Sequence, residues 1–113
     1  MEYLLGIDVG TSGTKSALFC TDGAVVGSAT IEYPMYQPHN GWAEQNPADW
    51  WDAVVQGVKD ILSKTGVVSD VIKGVGLSGQ MHGLVMLDDS GELLDNAIIW
   101  CDQRTGAEVE DIE

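Results

Sequence analysis

Between Asn46 and Gly66 the sequence marks an amphipathic helix at both ends, after three runs that read as strands. Asn46 can cap the first free N–H groups, Pro47 suits the first helical position, and Asp49 lies in the positive first turn. Trp50, Val54 and Ile61 share one stripe, and Trp51, Val55, Val58 and Leu62 the adjacent one. Asp52, Gln56, Lys59, Asp60 and Ser63 line the opposite face, so Trp50 and Trp51 are expected in the core. Gly66, two residues beyond Lys64, stops the helix.

Ahead of the helix, Tyr3–Val9 and Lys15–Cys20 flank the turn Gly10-Thr11-Ser12-Gly13-Thr14. Thr21-Asp22-Gly23 signals a hairpin into a third strand over residues 24–33, and 34–45 reads as a loop. After the helix come a strand over 71–77, a hairpin of 84–87 with 92–94 around Asp88-Asp89-Ser90-Gly91, and a buried strand over 97–100. A helical pattern begins beyond Arg104, and no linker divides the chain. Antiparallel strands, a helix and a further strand imply a layered α/β unit.

With 113 residues, 44% of them hydrophobic, the chain suits one domain with a modest core. Five scattered cations against 18 carboxylates, a formal charge of −13, argue against nucleic acid and against anionic membrane surfaces. No apolar run approaches the roughly 20 residues of a spanning helix, and no signal peptide fits. Cys20 and Cys101 show neither zinc nor redox spacing, so reduced thiols and a cytoplasmic location are expected. His39 and His82 are too few and too isolated for a zinc site.

Three segments can carry chemistry. In the first, Asp8 to Lys15, a glycine turn lets backbone N–H groups approach an anion. Thr11, Ser12 and Thr14 add hydroxyls, Lys15 a positive charge, and Asp8 an oxygen ligand for Mg²⁺, directly or through water. An ordinary hairpin with self-satisfied polar groups is the alternative, and the spacing is not that of a P-loop. The second, Gly74-Val75-Gly76-Leu77-Ser78-Gly79, matches a dinucleotide fingerprint, but its glycines sit within a strand and no helix opens from it, so that reading is rejected. The third, Gln80-Met81-His82, follows a strand end, where open α/β sheets place ligands. It can offer a polyol an amide, an apolar wall and an imidazole, or it can be a turn with Met81 in the core and His82 capping a carbonyl. Trp100 and Asp102 make a similar pair, with core packing the commoner explanation for the indole. Asp102 and Arg104 can pair across a turn, with little energetic weight if exposed.

Leu5-Gly-Ile-Asp-Val-Gly-Thr-Ser-Gly-Thr-Lys15, Gly41-Trp-Ala-Glu-Gln-Asn-Pro47 with Asp49-Trp50-Trp51, and Leu77-Ser-Gly-Gln-Met-His-Gly83 resemble, in order and spacing, the start of the FGGY family of carbohydrate kinases. The resemblance implies an α/β fold of the ribonuclease H-like, actin-like ATPase type. Residues 1–113 would be part of the sugar kinase N-terminal domain, with a mixed sheet, antiparallel hairpins and flanking helices. It implies ATP-dependent phosphorylation of D-xylulose at its C5 hydroxyl, as in pentose catabolism, because glycerol-specific members carry an Arg-Glu pair where Met81-His82 stand.

By the same resemblance Asp8 lies near Mg²⁺ and the γ-phosphate, and Gly10, Thr11, Ser12, Thr14 and Lys15 form the phosphate turn. Met81 and His82 contact the ketose, with Gln80 supporting them, and Trp100 and Asp102 line the sugar pocket in an Ile-Trp-x-Asp-x-Arg context. The partners implied are ATP and a small ketose, with a homodimeric full-length enzyme. The resemblance puts the catalytic base Asp and the adenosine pocket beyond residue 113, so the chain is expected to be an N-terminal fragment inactive alone. The alternatives are another FGGY kinase (ribulose, gluconate or glycerol) or a non-catalytic actin/Hsp70-like nucleotide-binding module.

Overall fold

A computed structural model describes residues 1–112. The backbone forms two compact units, Met1–Tyr33 with Ala48–Gln80, and Pro34–Pro47 with the segment from Met81 onward. Each unit is assembled from two separate stretches, which is why no linker marks a boundary in the sequence.

The first unit is built on a mixed sheet in the order β3-β2-β1-β5, with β1 Tyr3–Val9, β2 Gly13–Cys20, β3 Val25–Glu32 and β5 Ile72–Gly79. β1 pairs antiparallel with β2 and parallel with β5, and β2 pairs antiparallel with β3. The hairpin between β2 and β3 turns at Gly23, whose φ of 96° favours glycine, and Asp22 Oδ1 accepts the Ala24 N–H at 2.9 Å. The three glycines of the rejected dinucleotide pattern lie inside β5.

Helix α1 (Pro47–Thr65) starts at the expected proline, and Gly66 ends it with a φ of 70° and its N–H on Leu62 O at 2.9 Å. Side chains alternate along β1, so Leu5 and Ile7 join Leu18 and Ile61 in the core while Gly6 and Asp8 face the other way. The helix buries Ala53, Gly57 and Ile61, and Val54 and Val58 pack against the same core, so both expected stripes reach it through their aliphatic residues. Trp51 is 68% exposed, against expectation, and Trp50 is half-buried. Gly57 lies close on the sheet: a Cβ there would meet Ser16 Oγ at 3.3 Å, and a Cβ on Gly27 of β3 would meet Thr65 Cγ2 at 2.8 Å. Ser16 Oγ is buried beside Gly57 without a hydrogen-bond partner.

In the second unit, β4 (Glu44–Gln45) pairs antiparallel with β6 (Ala97–Ile98), over buried Ala43, Gln45, Ala97 and Ile99. The stretch expected as loop therefore ends in a strand, and Tyr36 forms a bridge to Glu44. The turn at Asp88–Gly91 is present, with Asp88 Oδ1 accepting the N–H groups of Ser90 and Glu92. Its arms form no ladder: Leu87 bridges Leu93, but Leu84 bridges Ile98. The strand expected over 97–100 stops at Ile98, leaving Trp100 57% exposed. Helix α2 (Gly106–Ile112) presents Glu108, Glu110 and Asp111 to solvent, and Glu113 lies outside the described residues.

Candidate functional site

In the first unit the glycine turn joins β1 to β2 and is closed by the Gly10 N–H on Gly13 O at 3.0 Å. Gly13 is required by sterics, since a Cβ would lie 2.6 Å from the Ile31 carbonyl oxygen of β3. Asp8 and Lys15 are register partners across β1 and β2, and Ser78 of β5 stands opposite Asp8 on its other side. The row Lys15, Asp8, Ser78 thus crosses three strands at the turn end of the sheet, on the face away from α1. Asp8 and Lys15 are exposed there, beside a hollow of about 380 Å³ lined also by Gly6, Phe19 and Gly76.

Thr14 alternates to the opposite face. It is buried, and its hydroxyl lies 3.2 Å from the Tyr33 hydroxyl. Tyr33 donates to the Gly10 carbonyl, and its backbone N–H donates to Ser12 O at 3.3 Å. Burial is the main cause of a raised pKa for this phenol, aided by the negative charge of Asp8 and opposed by the Thr14 hydrogen bond, so it stays a donor at neutral pH. Gln80 also reaches the turn, with its N–H on Val9 O at 2.9 Å and its Nε2 at 3.4 Å from Gly10 O. Tyr33 is the residue that reading the sequence missed. Its partners stand 19 and 23 positions away, and no local pattern marks such a contact.

In the second unit Met81 is 70% exposed and is no part of the core. His82 follows it with a φ of 65°, the one non-glycine residue with positive φ among those described. That conformation is strained for a side chain with a Cβ, and here no packing rewards it.

Asp102 is placed differently from a free sugar-facing carboxylate. Its side chain is only 3% exposed, and it accepts the Ala43 N–H at 2.6 Å. It also takes Arg104 Nε at 2.9 and 3.0 Å and Nη2 at 2.7 Å. Arg104 Nη2 reaches Glu44 Oε2 at 2.7 Å as well, and the guanidinium carbon sits 3.7 Å from the Trp42 ring centroid. The expected Asp102–Arg104 pair exists, but as the centre of a largely buried cluster rather than a surface contact. Its work is to hold the Ala43–Glu44 stretch against the turn that follows Trp100.

The cluster makes a pH prediction. Hydrogen bonds from Arg104, chiefly, hold Asp102 at a pKa of about 2 against the opposing effect of burial, with the Ala43 N–H contributing. That lies below the roughly 3.9 of an unfolded Asp. The stabilisation is therefore complete above that higher value and is lost as pH falls through about 2. In amide NMR, the Ala43 resonance is expected to move as pH falls through about 2, and Asp102→Asn is expected to abolish that step. An Asp102-dependent movement of Ala43 centred near the roughly 3.9 of an unfolded Asp would contradict the assignment.

No group of three His, Cys, Asp or Glu side chains gathers into a metal cage among the described residues. No helix among them is long and apolar enough to cross a membrane. Asp8, one exposed carboxylate beside a glycine turn, fits a cation that takes one or two protein oxygens and fills its shell with water and phosphate.

Comparison with known proteins gives this arrangement a family. The xylulose kinase of Staphylococcus epidermidis is 40% identical over 112 residues, covering 99% of this chain and 23% of the relative. A xylulose kinase structure from Brucella ovis superposes with a TM-score of 0.94 at 37% identity, over 98% of this chain and 23% of that one. A gluconate kinase structure from Lactobacillus acidophilus follows at TM-score 0.89 and 36% identity, covering 97% and 22%, and glycerol kinases also occur among the relatives. The chain thus spans less than a quarter of the length of these relatives. Its fold is that of the sugar kinases of the actin-like ATPase type. With residues 3–113 matching the model for the N-terminal domain of the FGGY family of carbohydrate kinases, the chain belongs to that family.

Proposed function

We propose that this chain contributes the phosphate turn and part of the sugar wall of an enzyme that phosphorylates D-xylulose at its C5 hydroxyl, yielding D-xylulose 5-phosphate and ADP. The observation that carries the sugar half is His82: an exposed histidine held at positive φ beside exposed Met81 is strain without a packing return, as expected where a side chain must be aimed at a ligand. Met81 supplies an apolar surface for C–H groups, His82 a hydrogen bond to a hydroxyl, and Trp100 an exposed indole face. Asp102 acts behind them, through Arg104, rather than on the sugar.

On the phosphate side, the amides of Thr11 and Ser12 and the Lys15 ammonium receive polyphosphate oxygens, while Gly10 keeps the turn closed through its N–H on Gly13 O and Thr14 acts through Tyr33. Asp8 would hold Mg²⁺, whose charge supplies neutralisation across the phosphate oxygens. A chain of formal charge −13 particularly requires that, because it otherwise repels an anionic nucleotide.

Positioning and charge neutralisation do not complete the reaction, which also needs a base for the departing hydroxyl proton. None of the residues assigned here fills that role. A coupled assay of ADP release by the 113-residue chain with D-xylulose and Mg·ATP is expected to stay at the no-sugar control. The reading itself is tested by saturation-transfer NMR with D-xylulose, D-ribulose, glycerol and gluconate. Transfer to the ketoses is expected, and selective transfer to glycerol would overturn it.

A further inference from the structure

The turn between β1 and β2 is held from outside itself, by one residue just past the end of β3. Tyr33 binds it twice: the hydroxyl donates to Gly10 O, and the backbone N–H donates to Ser12 O at 3.3 Å. Gln80 Nε2 adds a longer contact to the same Gly10 carbonyl. All peptide bonds here are trans, so a carbonyl drawn to one side sends the next residue's N–H to the other. Fixing Gly10 O therefore turns the Thr11 N–H away from the Tyr33 hydroxyl, and fixing Ser12 O on the Tyr33 backbone turns the Gly13 N–H away from β3.

We infer that Tyr33 is a positioning residue of the phosphate turn: its two hydrogen bonds fix the peptide planes that flank Thr11 and Ser12, whose amides meet the polyphosphate. The inference rests on the phosphate reading given above and adds a residue that touches no ligand. Tyr33 stays fixed in this role because its hydroxyl is shared with buried Thr14 and because Gly13 lies against the β3 backbone without room for a Cβ. Turn and tyrosine therefore move together or not at all.

The test is Tyr33→Phe, which keeps the ring and removes the hydroxyl, with Thr14→Val as a second variant that takes away only the shared hydroxyl. Amide hydrogen exchange and a Mg·ATP titration are followed by NMR in the 113-residue chain and both variants. In Tyr33→Phe the Gly10 and Tyr33 amides, bonded to Gly13 O and Ser12 O, are expected to exchange about tenfold faster, the core amides of Leu5 and Leu18 to keep their protection, and Mg·ATP affinity to fall by about tenfold. Thr14→Val is expected to show smaller changes in the same amides, and it carries the test alone if Tyr33→Phe loses its core protection.

Unchanged turn amides with unchanged affinity would overturn the inference. If Mg·ATP leaves Thr11 and Ser12 unmoved in the parent, the phosphate reading fails and the proposed purpose of the clamp fails with it. The exchange rates still decide whether the clamp exists.

Discussion

Truncating Ile61 to alanine is expected to lower folding stability by about 2–5 kcal/mol. Ile61 is fully buried and closes the cluster of Leu5, Ile7 and Leu18, with Val54 and Val58 of α1 packed beside it. It also lies 3.6 Å from the position of a Cβ on Gly27, so the gap it leaves adjoins the β3 backbone, which cannot collapse to fill it. Domains of this size carry about 5–15 kcal/mol in total. The variant should therefore unfold at markedly lower urea concentration with an unchanged slope. A loss below about 1 kcal/mol would mean that the α1–sheet interface is not the stabilising core.

The second large effect concerns specificity. Replacing Met81 by Arg together with His82 by Glu is expected to abolish saturation transfer to D-xylulose and to favour glycerol. The exchange substitutes a charged, hydrogen-bonding pair for an apolar surface and an imidazole. Both positions are exposed and outside the core, so the fold should persist, which amide spectra would show directly. Retained ketose transfer in the double variant would remove Met81 and His82 from the sugar wall.

What the sequence disclosed follows the range over which its signals act. β1, the glycine turn, β2 and both ends of α1 rest on neighbouring residues, and they stand where local chemistry puts them. Failures came where a distant partner decides. The hydrophobic arc of α1 is legible in Val54, Val58 and Ile61, but the helix also sets Gly57 against Ser16 of β2, and Trp51 is left outside. Trp100 was assigned to a buried strand because Ile98 and Ile99 precede it, yet β4 is only two residues long and its pairing ends at Ile98.

The site divides in the same way. The Asp102–Arg104 pair spans two residues and was visible. Glu44 lies 60 residues from Arg104, and Glu44 and Trp42 turn a surface pair into a buried cluster. Thr14 was grouped with the other hydroxyls of the turn, whereas the strict alternation of β2 sends it to the α1 face and to Tyr33.

The account stands most directly on one titration of the ¹⁵N-labelled chain, first with Mg·ATP and then with D-xylulose. The amides of Gly10, Thr11 and Ser12 should move on the first addition, and Met81, His82 and the Trp100 indole N–H on the second. Shifts confined to other residues, or ketose-induced shifts absent at Met81 and His82 while glycerol produces them, would contradict it.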